Sequence, residues 1–366
     1  MDIKPHSRNT FHPSSTTGFS IWWSIVFPIA FLLVLFVILE FFARSPAARR
    51  VFPMLSYGNY HAQFEIKWQK LENYVQENGG VDVILLGNSM VNTGVDPEVF
   101  IKYASGANDV NLRVFNFGVE GLTIVPMVDL TRLLIDTYHP GAILYYTELR
   151  DYMAGNGDDL ARSFLSNEWL QYRLGHKNFT GWVVDNSLVF QSLLSWRYWS
   201  RADFLDSYLH NLQRWENTHL DGYEPEIHIS NFTGEFPDPG DPDDADMFAM
   251  YENYTIDPTR LESLKAMLAF EQSGTRIWIT EFPAYPGFYE YFGGQQVHEE
   301  YLIDISEYVI NQGGVFIYPV NPDLIPRLGR YDDHHVNFLG ARVYSGLQAR
   351  QVSEICQTQN LCLVEP

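Results

Sequence analysis

Cysteine is almost missing from this chain: two in 366 residues, Cys356 and Cys362, both within the last eleven. So few exclude a disulfide-built framework and a cysteine-rich metal centre. The pair is close enough to form a small loop pinning the C-terminus in an oxidising compartment, with two unpaired thiols as the equal alternative. No Cys/His spacing of metal type occurs, and neither a metal nor a cofactor is expected. Basic residues are also scarce, with 24 Lys and Arg against 45 Asp and Glu and a formal charge of −21. Nucleic-acid phosphates would be repelled, and broad contact with anionic headgroups is disfavoured.

What is plentiful is apolar: 46% of residues are hydrophobic and 15% aromatic, enough for a substantial core. One long run stands apart. From Ile21 to Ala43 the only charge is Glu40, near the end, and the run exceeds the ~30 Å hydrocarbon core of a bilayer. Trp22 and Trp23 border it on one side and Arg44 on the other, as interfacial anchors do. A cleaved signal peptide is the rival, with Ser45-Pro46-Ala47 as a loose processing site, but the run is long for one. Residues 20–43 are therefore expected to cross a membrane once. Arg44, Arg49 and Arg50 after the helix outnumber Lys4 and Arg8 before it, and the charge rule alone would put that second cluster inside.

The rest divides by pattern. Residues 1–18 are a polar tail expected to be disordered, 19–44 the anchor, and 45–79 a juxtamembrane segment with a helix over about 61–77. Residues 80–355 form the main domain and 356–366 a C-terminal tail. Strands are expected at Val83–Leu86, Val114–Phe117, Ala142–Tyr146, Arg276–Thr280 and Val315–Tyr318, the first two ending at Gly87 and Gly118. Helices alternate with them, over about 125–138, 258–271, 298–311 and 338–355, the last capped by Asn337. Alternation of this kind implies a parallel sheet covered on both faces. Residues 152–256 interrupt it and are expected to form a helical cap; its tryptophans (Trp182, Trp196, Trp199, Trp215) are read mainly as core, with sugar stacking as the alternative. The Pro/Asp run from Phe236 to Asp246 is read as a solvated acidic loop rather than a calcium site. Sequons begin at Asn178, Asn231 and Asn253.

In parallel sheets ligands bind at the carboxyl ends of strands. Ser89, Gly118, Arg150 and the segment Asp332-Asp333-His334-His335 all follow predicted strands. A serine, a histidine and a carboxylate three residues before it are the parts of acyl transfer through a covalent ester. Each has a bland reading: Ser89 as a turn or capping residue, Asp332 as a turn former, His335 as a helix-start residue. Asp333 and His334 leave the register open. The surroundings of Ser89 lack the Gly-x-Ser-x-Gly elbow, and no glycine-rich phosphate loop follows the first strand.

Gly87-Asn88-Ser89, Asn116-Phe117-Gly118 and Asp332-x-x-His335-Val336-Asn337 with Gly340-Ala341 resemble the first, second and last blocks of the SGNH (GDSL-like) hydrolase and acyltransferase superfamily. The resemblance covers roughly residues 80–150 and 275–355. It implies a flavodoxin-like α/β/α sandwich, with Ser89 as nucleophile, His335 as base and Asp332 as its orienter. It also implies an oxyanion hole from the Ser89 and Gly118 N–H groups. Asn88 stands where the family usually has aspartate. Glu148-Leu149-Arg150-Asp151 replaces the third block, putting Arg150 in the place of the oxyanion asparagine, as a donor or in an ion pair with Glu148 or Asp151. The resemblance further implies a membrane-anchored domain outside the cytoplasm, acting on acyl esters, among them esters of a cell-envelope polysaccharide, beside a membrane-bound O-acyltransferase. The alternative is a non-catalytic binding or assembly subunit that keeps the fold.

Overall fold

A computed structural model of the chain describes residues 17–51, 53–104, 112–230, 232–251, 254–359 and 362. Most of the N-terminal tail and the sequon asparagines 231 and 253 lie outside them. Five strands, β1 (Val83–Gly87), β2 (Val114–Gly118), β3 (Ala142–Thr147), β4 (Arg276–Glu281) and β5 (Val315–Ile317), form one sheet ordered β2-β1-β3-β4-β5. Every pairing is parallel. β1, β2 and β3 are buried along their whole length, which is why apolar residues fill consecutive rather than alternate positions, with Asn116 the polar exception inside β2.

Alternate residues of each strand feed two cores. Ile84, Leu86, Phe115, Phe117, Ile143 and Ile277 face helices Ala62–Asn78, Ile124–Tyr138, Pro258–Leu268 and Gln295–Asn311. Val83, Leu85, Val114, Leu144 and Trp278 face helices Ser89–Gly94, Pro97–Ala104 and Phe338–Gln359. The sheet is thus sandwiched between helical layers. Strand order reverses at β1, whose neighbours are β2 on one side and β3 on the other, so the switch-point crevice opens beside the residue after β1.

The insertion between β3 and β4 is helical, as expected, with helices from Asp158–Leu165 through Pro242–Tyr251. Half of the Pro/Asp run belongs to that last helix rather than to a loop. The tryptophans correct their expected role: Trp182, Trp196 and Trp199 are exposed, while Trp215 is half-buried beneath Lys70. Asn178 spends its side chain capping helix Phe179–Asn186. Cys356 and Cys362 are joined by a disulfide.

Helix Thr17–Ala43 contains Trp22–Ala43, the one stretch among the described residues long and apolar enough to cross a membrane. At about 1.5 Å per residue its 22 residues reach about 33 Å. Its lone acid has a definite partner. The Glu40 carboxylate accepts from Ser187 Oγ (2.8 Å) and from the N–H groups of Leu188 (3.0 Å) and Val189 (3.2 Å), at the start of helix Leu188–Leu194.

Candidate active site

β1 ends at Gly87 and the chain turns directly into helix Ser89–Gly94, capped by Asn88, whose Oδ1 accepts the Met90 N–H at 2.9 Å. Ser89 is the first helical residue and remains half-buried. The turn is tight because β2 passes close by: a Cβ on Gly118 would run into the Asn92 backbone, so only glycine fits.

The second part arrives from the far end of the chain. Residues 330–336 fold into a loop closed by an antiparallel bridge between Arg330 and Val336, with the Tyr331 N–H donating to His335 O at 3.0 Å. Asp332 Oδ1 accepts the N–H groups of His334 (2.9 Å) and His335 (2.6 Å). These two bonds turn its other oxygen toward the ring of His335. Asn337 then caps the final helix through the Leu339 N–H at 3.0 Å. The loop sits against helix Phe338–Gln359 through a glycine pair, since a Cβ on Gly340 would strike the Gly329 carbonyl.

The result is a continuous chain of contacts. Ser89 Oγ lies 2.8 Å from His335 Nε2, and His335 Nδ1 lies 2.8 Å from Asp332 Oδ2. Burial alone would raise the Asp332 carboxyl, but the His335 hydrogen bond and the nearby His334 and His335 rings outweigh it and hold it well below the usual carboxylate range. An ionised Asp332 keeps the ring proton on Nδ1, which leaves Nε2 as the acceptor for the serine O–H. The register ambiguity resolves in geometry. His334 Nδ1 turns to Asp333 (2.6 Å) and its ring stacks on Phe288, so that pair does not reach Ser89. One ligating atom each from Asp332, His334 and His335 would fall within 4.8 Å of one another, as a cation site requires. Both nitrogens of His335 are already engaged, however, by Asp332 and by Ser89.

The donors expected for an oxyanion fare differently. The Ser89 N–H, at the first position of its helix, has no hydrogen-bond partner among the described residues. The Gly118 N–H instead donates to Asn116 Oδ1 at 2.9 Å, within its own strand. Arg150 takes the ion-pair option: its Nε lies 2.9 Å from both oxygens of Glu148, and Nη2 lies 2.8 Å from Oε1. The Gly118 N–H meets an oxyanion only by giving up that partner, whereas Glu148 engages only the Nε–Nη2 edge of a guanidinium that carries five donors. Three residues past Gly118, Gly121 has φ of +68° and an N–H without a partner among the described residues.

Beneath the serine is a polar layer that sequence reasoning largely missed. Glu148, just past β3, accepts from Asn88 Nδ2. Asp151 Oδ2 accepts from Tyr145 Oη (2.7 Å) and Thr147 Oγ1 (3.0 Å), and burial with the neighbouring Glu148 raises its carboxyl to about 7. Glu281, the last residue of β4, pairs with buried His298 at 2.7 Å, and burial raises its carboxyl as well. The available signal was an acid closing an apolar run, as in Ile277-Trp278-Ile279-Thr280-Glu281.

A scan against protein-family models and a search of the curated proteins return no match for this chain.

Proposed function

We propose that the chain is a membrane-anchored serine esterase or O-acyltransferase of SGNH type, acting on acyl esters of a cell-envelope glycan from outside the cytoplasm. The observation that carries this reading is the line Ser89 Oγ–His335 Nε2–Asp332, with 2.8 Å at each step. A flavodoxin-like arrangement is supported by the order β2-β1-β3-β4-β5, with the serine at the switch point. Anchoring is supported by the length of Trp22–Ala43 and its border tryptophans, and an external domain by the Cys356–Cys362 disulfide.

In this mechanism Ser89 Oγ attacks the ester carbonyl carbon while its proton passes to His335 Nε2. Asp332 stabilises the imidazolium that forms. The tetrahedral intermediate places its oxyanion near the free Ser89 N–H, a kind of donor worth about 3–4 kcal/mol when aimed at developing charge. Collapse expels the alcohol, which takes the proton from His335 and leaves an acyl-serine. A water or a sugar hydroxyl then gives a proton to His335 and attacks the acyl carbon; as that second intermediate collapses, the Ser89 Oγ–acyl bond breaks and His335 returns the proton to Ser89 Oγ. Transfer to a sugar rather than to water would suit a domain held beside a membrane-bound O-acyltransferase.

A second reading has specific support. Arg150 is paired with Glu148 and the Gly118 N–H with Asn116, so neither of the two donors expected beside Ser89 is turned to an oxyanion. A non-catalytic assembly subunit would have that arrangement. Incubating the detergent-solubilised full chain with a fluorophosphonate separates the two. Labelling that disappears in Ser89→Ala supports the enzyme; folded protein that takes no label supports the subunit.

A further inference from the structure

The insertion carries a feature that the acyl-transfer chemistry does not use. Helix Leu188–Leu194 is fixed to the apolar N-terminal helix by Glu40 and packs along it, with the Phe36 and Phe190 rings 6.0 Å apart. Phe36 lies about one turn, roughly 6 Å, back from Glu40 into the apolar run. Phe190 is therefore level with the last turns of that run rather than beyond its end.

From Phe190 onward an apolar side chain recurs at every third position: Phe190, Leu193, Trp196 and Trp199. All four are exposed, Leu193 at 61% and Trp199 at 72%. Past Leu194 the backbone winds by three-residue bonds, from the Trp196 N–H to Leu193 O (3.0 Å) and from the Trp199 N–H to Trp196 O (3.0 Å). Residues three apart eclipse in such turns, so Leu193, Trp196 and Trp199 share one side, and Phe190, three residues earlier in the α-helix, neighbours Leu193 on the same face. The other side faces inward, where Leu194 packs on the main core and Arg197 donates to Asn59 O at 2.6 Å. Trp196 is braced from within by Phe204 and Tyr208, at 5.5 and 5.4 Å.

We propose that the row Phe190–Leu193–Trp196–Trp199 lies in the headgroup–acyl boundary of the bilayer that Trp22–Ala43 crosses, and holds the catalytic domain down on that membrane. The proposal rests on the reading of Trp22–Ala43 as a membrane span. The bilayer is the occupant because the row begins in contact with that helix, level with its last apolar turns, and all four of its side chains are exposed. Tryptophan suits this depth, with an apolar ring and one N–H donor for the wet side. A chain of charge −21 gains nothing from anionic headgroups, so docking is apolar and proceeds on zwitterionic lipid.

The test uses the full chain in phosphatidylcholine vesicles. Because the native cysteines are joined, a single introduced thiol can be labelled with an environment-sensitive nitrobenzoxadiazole dye. Labels go at Leu193→Cys and Trp199→Cys, so that one position suffices if the other variant misfolds by circular dichroism. Val34→Cys marks the span, and Arg342→Cys lies on a helix on the opposite face of the sheet. The labels at 193 and 199 are expected to emit further to the blue than the label at 342. Lipid with a shallow doxyl group should quench them at least about twofold more strongly, while deep doxyl quenches the label at 34. Labels at 193 and 199 that behave like the one at 342, with the label at 34 quenched, overturn the docking and leave the anchor standing. An unquenched label at 34 removes the anchor and the docking together. Blue-shifted labels that doxyl lipid does not quench identify a protein on the row, which also overturns the proposal.

Discussion

Replacing Asp332 with asparagine tests the triad with little change of shape. Asp332 Oδ1 accepts two backbone N–H groups, from His335 at 2.6 Å and from His334 at 2.9 Å, so the carboxamide oxygen must take that place. The NH2 group then falls where Oδ2 stood, 2.8 Å from His335 Nδ1. A donor facing Nδ1 forces the ring proton onto Nε2, the nitrogen that faces Ser89, and the general base is lost. In Ser-His-Asp triads the wrong tautomer lowers turnover by about 10⁴-fold. At about 1.36 kcal/mol per decade, that is roughly 5 kcal/mol of transition-state stabilisation. Because both backbone bonds survive, thermal unfolding should change far less than turnover. The assay is the rate of fluorophosphonate labelling and of p-nitrophenyl acetate hydrolysis by the solubilised full chain. Ser89→Ala should be dead and Asp332→Asn slowed by about three to four orders of magnitude. Asp333→Asn, whose native partner is His334, should stay within a few fold of wild type. An Asp332→Asn rate within about threefold of wild type, with Ser89→Ala inactive, would refute the role given to this carboxylate.

Removing Arg150 as alanine strands Glu148, whose side chain is 5% exposed, as an unpaired buried charge. Urea unfolding should register a loss of about 3–5 kcal/mol, and a labelling rate of the folded fraction that also falls would make the guanidinium an oxyanion donor. Gly340→Ala drives a Cβ into the Gly329 backbone, which cannot rotate aside; about 1–3 kcal/mol should be lost, with slower labelling because the His335 loop shifts. Burial, resisted by Arg197 and by three donors on one oxygen, raises the Glu65 carboxyl from 4.5 to about 7. The folded state then keeps a proton that the unfolded chain releases, so this contribution is full below the ordinary carboxyl range and is lost as pH rises to about 7. Thermal midpoints across that window should fall with pH in the wild type and flatten in Glu65→Gln.

The sheet was legible because strands buried on both faces leave short, mainly apolar runs, and the first of them, Val83–Gly87, stops at a glycine. Helix Ser89–Gly94 was not: six residues, three of them Ser, Asn and Thr, carry no helical period, and it is packing against β2 that stabilises it. The pairing of Ser89 with His335 spans 246 residues and could be inferred only from strand-end placement. What selects His335 over His334 is where the Asp332 oxygens point, a matter of two backbone bonds that no spacing reveals. The tryptophans misled for a related reason. Tryptophan is usually buried, and only the packing of the insertion shows that Trp182, Trp196 and Trp199 lie on its outer side.

Two departures from the SGNH pattern, Asn88 and Glu148, make physical sense only together. Asn88 Nδ2 donates to Glu148 Oε1, and both side chains are buried. An aspartate at 88 would set two carboxylates against each other in a dry site, where one must hold a proton. Glutamate at 148 therefore favours an amide at 88, and the amide still caps helix Ser89–Gly94 through the Met90 N–H. The coupling can be measured as a double-mutant cycle in urea. Asn88→Asp alone should destabilise the domain near neutral pH and recover part of the loss on acidification. Glu148→Gln added to it should restore stability, with an interaction of about 1–3 kcal/mol, as contacting pairs show. Strict additivity would mean that the two positions do not sense each other, and the altered block would then have no explanation in the charge it places beneath Ser89.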